Sequence, residues 1–89
     1  MMPMSLHEKF QDAVRRSKEL PSQSNERLLE IYALYKQANI GDVSGPKPGP
    51  FNLKGKAKYQ AWFALKGMSQ SQAMTDYVAL IDRLAGEAN

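Results

Sequence analysis

Apolar residues recur every three or four positions along most of the chain, and this spacing predicts helices. We predict four: residues 6–20, a second from a serine cap at 22 or 24 to about 39, 53–66, and a last helix from a cap at Ser69 to Gly86. No segment alternates apolar and polar residues as a half-buried strand does. The pattern therefore predicts a small all-α bundle.

The predicted helix boundaries rest on residues that start or stop helices. Pro21 ends the first helix, and Gly41 and Gly67 end the second and third. Asn52 is placed to cap the third helix, and Ser69 to open the fourth with a capping box. Because the connections between helices 1 and 2 and between helices 3 and 4 are short, we predict that each pair packs as antiparallel neighbours.

The faces of these helices are read from the same periodicity. Ala73, Tyr77, Leu80 and Leu84 form one apolar row on the last helix. We interpret Trp62 on the third helix as a core residue. The second helix carries an apolar stripe composed of Leu28, Ile31, Tyr32, Tyr35 and Ala38.

Length and composition predict one small domain that spans residues 1–89, with residues 1–5 as a flexible extension. Of the 89 residues, 43% are hydrophobic and 24% charged, which is ordinary for a globular chain. There is no cysteine, which excludes disulfides and thiolate chemistry. No apolar run is long enough to cross a membrane, and the N-terminus lacks a secretory signal pattern, so we expect a cytoplasmic protein.

Positive charge is concentrated in the middle of the chain. The net charge is only +3, but residues 47–66 contain no Asp or Glu. This segment predicts contact with an anionic partner. Its lysines are Lys47, Lys54, Lys56, Lys58 and Lys66.

Catalytic chemistry has little support in the sequence. His7 is the only histidine and lies near the N-terminus, where a solvated side chain is the usual state. Glu26 and Glu30 form a single carboxylate pair on one helix, too few ligands for a metal site. We therefore expect no enzyme, no metal and no cofactor.

Tyrosines and lysines instead suggest a ligand. Tyr32, Tyr35 and Lys36 share one side of the second helix, and Lys54 and Lys58 are one turn apart on the third. Each tyrosine alone is compatible with packing at the core edge, and each lysine alone with solvation. Together the pattern suits a ligand that carries a phosphate and an aromatic ring.

Several blocks in order resemble the acyl-CoA-binding protein family. They are residues 32–42 (YALYKQANIGD), 47–49 (KPG), 54–62 (KGKAKYQAW) and 65–67 (LKG), followed by Ala73 and Tyr77. The resemblance implies an up-down-down-up four-helix bundle. It also implies a monomeric carrier and pool former that binds medium- to long-chain fatty acyl-CoA thioesters without converting them.

The resemblance also implies the binding residues. Tyr32, Lys36 and Lys58 would surround the 3′-phosphate of CoA, and Tyr35 and Tyr77 would contact its adenine and ribose. The first helix would contribute a wall and a basic residue near the head group. The full implied set is Ala13, Val14, Lys18, Tyr32, Tyr35, Lys36, Lys54, Lys58 and Tyr77.

The acyl groove and two rival functions remain open at this point. Ile40, Leu53 and Met68 are candidates for lining the groove. Burial of an acyl chain contributes about 0.8 kcal/mol per methylene group before costs are subtracted. A nucleic-acid-binding module would also use the basic segment 47–66, and a protein-interaction module would expose an apolar patch.

Overall fold

The computed structural model describes residues 3–87, and four helices account for most of them. They are α1 (Leu6–Ser17), α2 (Asn25–Asn39), α3 (Leu53–Phe63) and α4 (Gln70–Glu87). The described residues contain no strand, so the all-α prediction is confirmed. Part of the extension predicted to be flexible, Met1 and Met2, lies outside the described residues.

Side-chain caps begin each helix. Ser24, Asn52 and Ser69 each accept a hydrogen bond from the backbone N–H three residues further on, as predicted. The capping box at Ser69 forms only in half: Ser69 accepts from the Gln72 backbone N–H, and the Gln72 side-chain amide nitrogen donates to Asp76. A complete capping box occurs at Ser5, which the sequence analysis did not identify.

Two helices end earlier than predicted. The α1 helix ends at Ser17 rather than Leu20, and α3 ends at Phe63 rather than Lys66. In both places the following N–H groups bond to carbonyls three residues back, which tightens the last turn and stops the helix. The turn after α3 closes at Gly67, whose φ of 96° favours glycine.

The helices pack in an order that the chain connectivity does not suggest. The α4 helix lies against both α1 and α2, and α3 lies against α2. Within residues 3–87 the backbones of α1 and α2 do not pack together, nor do those of α3 and α4. The prediction of antiparallel sequence neighbours is therefore wrong, because α4 inserts between α1 and α2. The bundle is the up-down-down-up arrangement, in which residues 40–52 connect α2 and α3.

One continuous core joins α1, α2 and α4. Arg16 of α1 adds a surface ion pair to Asp82 of α4, with 2.8 Å between the guanidinium nitrogen and the carboxylate oxygen. The predicted row on α4 is buried, and Ile81 of the neighbouring row joins it. The buried residues of the core are Phe10, Ala13, Leu34, Ala38, Ala73, Tyr77, Leu80, Ile81 and Leu84.

The buried face of α2 differs from the predicted stripe. Leu28 and Tyr35 are exposed, whereas Ala33 and the polar Gln37 are buried. The Gln37 amide nitrogen donates to Asp42 and to the Met68 carbonyl oxygen, whereas its amide oxygen is buried without a hydrogen-bond partner among the described residues. The prediction failed because α2 contacts α3 on one side and α4 on another, so a single stripe does not describe it.

Asp42 links α2 to the turn that follows α3. One carboxylate oxygen accepts hydrogen bonds from the Gly67 backbone N–H at 2.8 Å and from the Gln37 amide at 2.9 Å. These bonds stabilise the ionised form, and they lower the pKa of the Asp42 carboxyl group, the Gly67 bond most strongly.

We expect Asp42 to make folding stability fall at acidic pH. A carboxyl group whose pKa is lower in the folded state stabilises the fold above its ordinary pKa of about 3.9, and this contribution is lost as pH falls further. The Asp42→Asn variant should unfold more easily at pH 7 and show a weaker pH dependence below pH 4. Urea unfolding at pH 7 and pH 3 measures both. Equal pH slopes in the two proteins would contradict the assignment.

Candidate ligand-binding site

Two lysines from different helices meet at one tyrosine. The Lys36 ammonium nitrogen on α2 lies 5.9 Å from the centre of the Tyr32 ring, and that of Lys58 on α3 lies 5.3 Å from the same ring. Neither lysine forms an ion pair within the part of the chain that the structure describes. The site therefore presents two uncompensated positive charges and a phenol hydroxyl, which suit a phosphate group.

Trp62 holds the two helices in this arrangement. Its side chain is 7% exposed, and its indole N–H donates to the Gly41 carbonyl oxygen at 2.8 Å. The core interpretation of Trp62 is thus confirmed. The Lys36 ammonium nitrogen also lies 5.4 Å from the indole ring centre, so Trp62 forms part of the wall behind the lysine.

An open groove of about 470 Å³ runs between α2 and α3 beside these lysines. Its walls are mainly aliphatic, with Leu28 and Leu29 from α2 facing Leu53 and Ala57 from α3. Leu28 is 50% exposed although it is a large apolar residue. Such a surface groove suits an apolar chain. The polar residues along it are Asn25, Tyr32, Lys54 and Lys58.

An aromatic cluster lies where α2 meets α1 and α4. The Tyr77 ring packs edge-on against Phe10 at 5.1 Å between ring centres, and Tyr35 lies 6.4 Å from Tyr77. Tyr77 is 1% exposed, and burial raises the pKa of its phenol, against a hydrogen bond with Ser17 that lowers it. Tyr35 is exposed and presents a ring surface to solvent, whereas Tyr77 supports it from the core.

The structure brings most of the expected residues to these two places. Tyr32, Lys54 and Lys58 line the groove between α2 and α3, and Lys36 lies beside Tyr32. Lys18 is an exposed C-cap residue of α1, and no ring contact or ion pair within residues 3–87 links it to the groove. The residues of the aromatic side are Ala13, Val14, Tyr35 and Tyr77, with Ala13 and Tyr77 in the core and Val14 packed against it.

Several groove residues were not expected from the sequence. Leu28 was placed on a packing stripe of α2, and exposure of such a leucine has no signal in the sequence. Leu29 also lines the groove. Of the three acyl-groove candidates, Leu53 lines the groove, Met68 packs against the core, and Ile40 is the exposed C-cap of α2.

Comparison with known proteins gives one consistent result. Residues 7–81 match the family model described as "Acyl CoA binding protein". The chain is 43% identical to the acyl-CoA-binding protein of Ricinus communis over 86 residues, covering 96% of each chain. It is 49% identical to that of Saccharomyces cerevisiae over 76 residues, covering 84% of this chain and 87% of the relative. The chain belongs to the acyl-CoA-binding protein family.

The fold comparison agrees with membership of the acyl-CoA-binding protein family. The crystal structure of Oryza sativa Acyl-CoA-Binding Protein 2 superimposes with a TM-score of 0.92 at 44% sequence identity, covering 94% of each chain. Neither the nucleic-acid-binding nor the protein-interaction alternative is favoured by this membership. Within residues 3–87, no helix has the length and hydropathy of a membrane span, and no group of three His, Cys, Asp or Glu side chains could hold a metal ion.

Proposed function

We propose that the chain binds medium- to long-chain fatty acyl-CoA thioesters non-covalently and acts as an acyl-CoA carrier and pool former. The observation that carries the proposal is the convergence of Lys36 and Lys58 on Tyr32 at the end of an apolar groove. A ligand of this class has a phosphorylated nucleotide at one end and an aliphatic chain at the other. Family membership supports the same ligand class.

The head group of the ligand would be held by charge and by aromatic surface. A phosphomonoester carries a charge of about −1.5 to −2 near neutral pH, and Lys36 and Lys58 provide mobile ammonium groups to pair with it. The Tyr32 hydroxyl would add a hydrogen bond. The exposed Tyr35 ring offers a surface for the adenine, with Tyr77 packed beneath it. Lys54 lies along the same groove and adds positive charge.

The acyl chain would lie in the groove between α2 and α3. Leu28, Leu29 and Leu53 provide apolar contact there. Because the groove is open along its length, the chain is held by partial burial, and binding energy increases with each methylene group that contacts the walls.

The site needs no catalytic group or cofactor, because a carrier releases its ligand by equilibrium. We propose that the protein works as a monomer in the cytoplasm, shielding the thioester from hydrolysis. The support for a monomer is that all residues of the proposed site come from the helices of one chain.

Thermal unfolding tests the proposed ligand class. A ligand that binds only the folded state stabilises it by about 2.7 kcal/mol at a concentration of one hundred times Kd. For a domain of this size, that stabilisation raises Tm by roughly 10–20 °C. We expect such a rise with palmitoyl-CoA and little change with NADP⁺, which also carries a phosphorylated adenosine. An unchanged Tm with palmitoyl-CoA would refute the proposal.

We expect Leu28 to affect long acyl chains selectively. The Leu28→Ser variant removes an apolar wall of the groove, so the Kd for palmitoyl-CoA should rise about tenfold while that for butyryl-CoA changes little. Ile40→Ser is the matched control, because Ile40 is an equally exposed aliphatic residue outside the groove. Equal effects of both substitutions on palmitoyl-CoA binding would show that the chain lies elsewhere.

A further inference from the structure

A cluster of polar groups joins the end of α2 to the segment that follows α3. Gln37 is fully buried, and its side-chain nitrogen donates to the Asp42 carboxylate at 2.9 Å and to the Met68 carbonyl oxygen at 2.8 Å. The Gly67 backbone N–H donates to the same Asp42 oxygen. We define the polar cluster by these residues: Gln37, Asp42, Gly67 and Met68. It fixes where the chain leaves α3 relative to the C-terminal end of α2.

Packing alone does not account for Gln37 in this cluster. Its amide oxygen is buried and has no hydrogen-bond partner among the described residues. A buried acceptor without a partner costs free energy, and a methionine would fill similar space without that cost. The two hydrogen bonds that Gln37 donates therefore point to a role besides stability.

The polar cluster is connected to the lysine site through Gly41 and Trp62. Gly41 lies directly before Asp42, and its φ of 94° lies in the left-handed region that glycine adopts without strain. Its carbonyl oxygen accepts the Trp62 indole N–H, and the Trp62 ring lies 5.4 Å from the Lys36 ammonium nitrogen. Because glycine is conformationally permissive, the direction of this carbonyl depends on the bonds that its neighbours make.

The α3 helix has little else to set its position. Trp62 is its only buried residue, and α2 is the only helix it packs against within residues 3–87. Lys58 lies one turn before Trp62, on the same face of α3. The hydrogen bonds to Gly41 and Asp42 hold this end of the helix, so they set the rotation of α3 on α2 and the direction of Lys58.

We propose that Gln37 and Asp42 are positioning residues, which set the spacing of the two lysines that would hold the phosphate group. The inference rests on the proposed function and deepens it, because it concerns the phosphate end of the same site. Neither side chain would touch the ligand, since Gln37 is buried and the Asp42 carboxylate would repel a phosphate. Both act through Trp62, which is bonded to Gly41 and lies beside the Lys36 ammonium group.

Calorimetric titration with palmitoyl-CoA and with palmitoyl-dephospho-CoA, which lacks the 3′-phosphate, tests the proposal. Gln37→Met keeps a side chain of similar size but removes both donated bonds, so the Kd for palmitoyl-CoA should rise about three- to tenfold. The Kd for the dephospho ester should change by less than about twofold. Gln37→Met should have little further effect in the Lys36→Met background, because both substitutions weaken the same phosphate contact.

The matched control is Gln70→Met. The Gln70 side chain also donates to the end of α2, to the Ala38 carbonyl oxygen at 3.2 Å, but it makes no hydrogen bond to Asp42 within the described residues. This variant should bind palmitoyl-CoA as the wild type does. Equal weakening in Gln37→Met and Gln70→Met would overturn the proposal, as would an equal rise in Kd for the dephospho ester.

Substitutions of Asp42 add a test by conservative rescue. Asp42→Ala removes the acceptor for the Gly67 N–H, whereas Asp42→Asn keeps a carbonyl oxygen that can accept the same bonds. The asparagine variant should therefore restore most of the palmitoyl-CoA affinity that the alanine variant loses. Equal loss of affinity in the two variants would contradict the positioning role.

The fluorescence of Trp62 gives a readout that needs no ligand. Trp62 is the only tryptophan in the chain, so its emission reports this contact alone. We expect a red shift in Asp42→Ala and almost none in Asp42→Asn, with circular dichroism showing that both are folded. Unchanged emission in Asp42→Ala would overturn the proposal. Absence of palmitoyl-CoA binding by the wild type would refute the proposed function itself, whereas normal wild-type binding with an unaffected Gln37→Met variant would refute the positioning role alone.

Discussion

Replacing Trp62 with alanine should lower the free energy of unfolding by about 3–5 kcal/mol, the largest effect we expect from any single substitution outside the α1–α4 core. Trp62 is the only buried residue of α3 in the described structure, and α3 has no other helix than α2 to pack against. The substitution removes the ring and also leaves the Gly41 carbonyl oxygen without its indole donor. Urea unfolding monitored by circular dichroism measures the loss.

Two further variants show how much of the loss of stability comes from the buried Trp62 ring and how much from its indole N–H. Trp62→Phe keeps an aromatic ring but loses the indole N–H, so it should cost clearly less than Trp62→Ala. Phe63→Ala changes the adjacent, half-exposed ring and should cost under about 1 kcal/mol. A Trp62→Ala protein as stable as the wild type that merely failed to bind ligand would contradict the core role of Trp62.

Replacing Lys36 with methionine should weaken palmitoyl-CoA binding by about 1–3 kcal/mol, which is roughly 5- to 150-fold in Kd. Methionine keeps most of the aliphatic stem but removes the ammonium group that lies over the Tyr32 and Trp62 rings, so the charge is lost with little change in side-chain length. The expected loss is the scale of one charge-assisted hydrogen bond to a phosphate. Isothermal titration calorimetry measures Kd for both proteins.

The control for Lys36→Met is Lys66→Met. Lys66 is also beside an aromatic ring, that of Phe63, but it lies on the far side of α3 from the proposed site. The two variants have the same net charge, so a difference between them reports position rather than total charge. Dephospho-CoA esters should show little difference between wild type and Lys36→Met. Equal affinity of wild type and Lys36→Met for palmitoyl-CoA would show that the phosphate binds elsewhere.

Periodicity identified the buried row of α4 but failed for much of α2. The apolar row of α4 is buried as predicted, because it belongs to the one core that α1, α2 and α4 share. The α2 helix lies between α3 and α4, so its buried positions include Gln37 and its supposed stripe includes exposed residues. Burial of Gln37 depends on partners 5 and 31 residues away, which no local pattern reveals.

The candidate site shows the same division between local and long-range information. Helical spacing alone placed Tyr32, Tyr35 and Lys36 on one side of α2. The approach of Lys58 depends on how α3 packs against α2, which the family resemblance implied and spacing did not. The exposed Leu28 illustrates the remaining gap: an apolar residue on a helix looks the same in sequence whether it faces a core or a ligand groove.

The central claim is that one site recognises both ends of an acyl-CoA ester. Parallel calorimetric titrations with palmitoyl-CoA, free CoA and palmitate test it most directly. We predict tight binding of the thioester and binding of each fragment weaker by several orders of magnitude, because each fragment reaches only the lysine cluster or only the groove. Free CoA binding as tightly as palmitoyl-CoA, or no binding of the thioester, would contradict the claim.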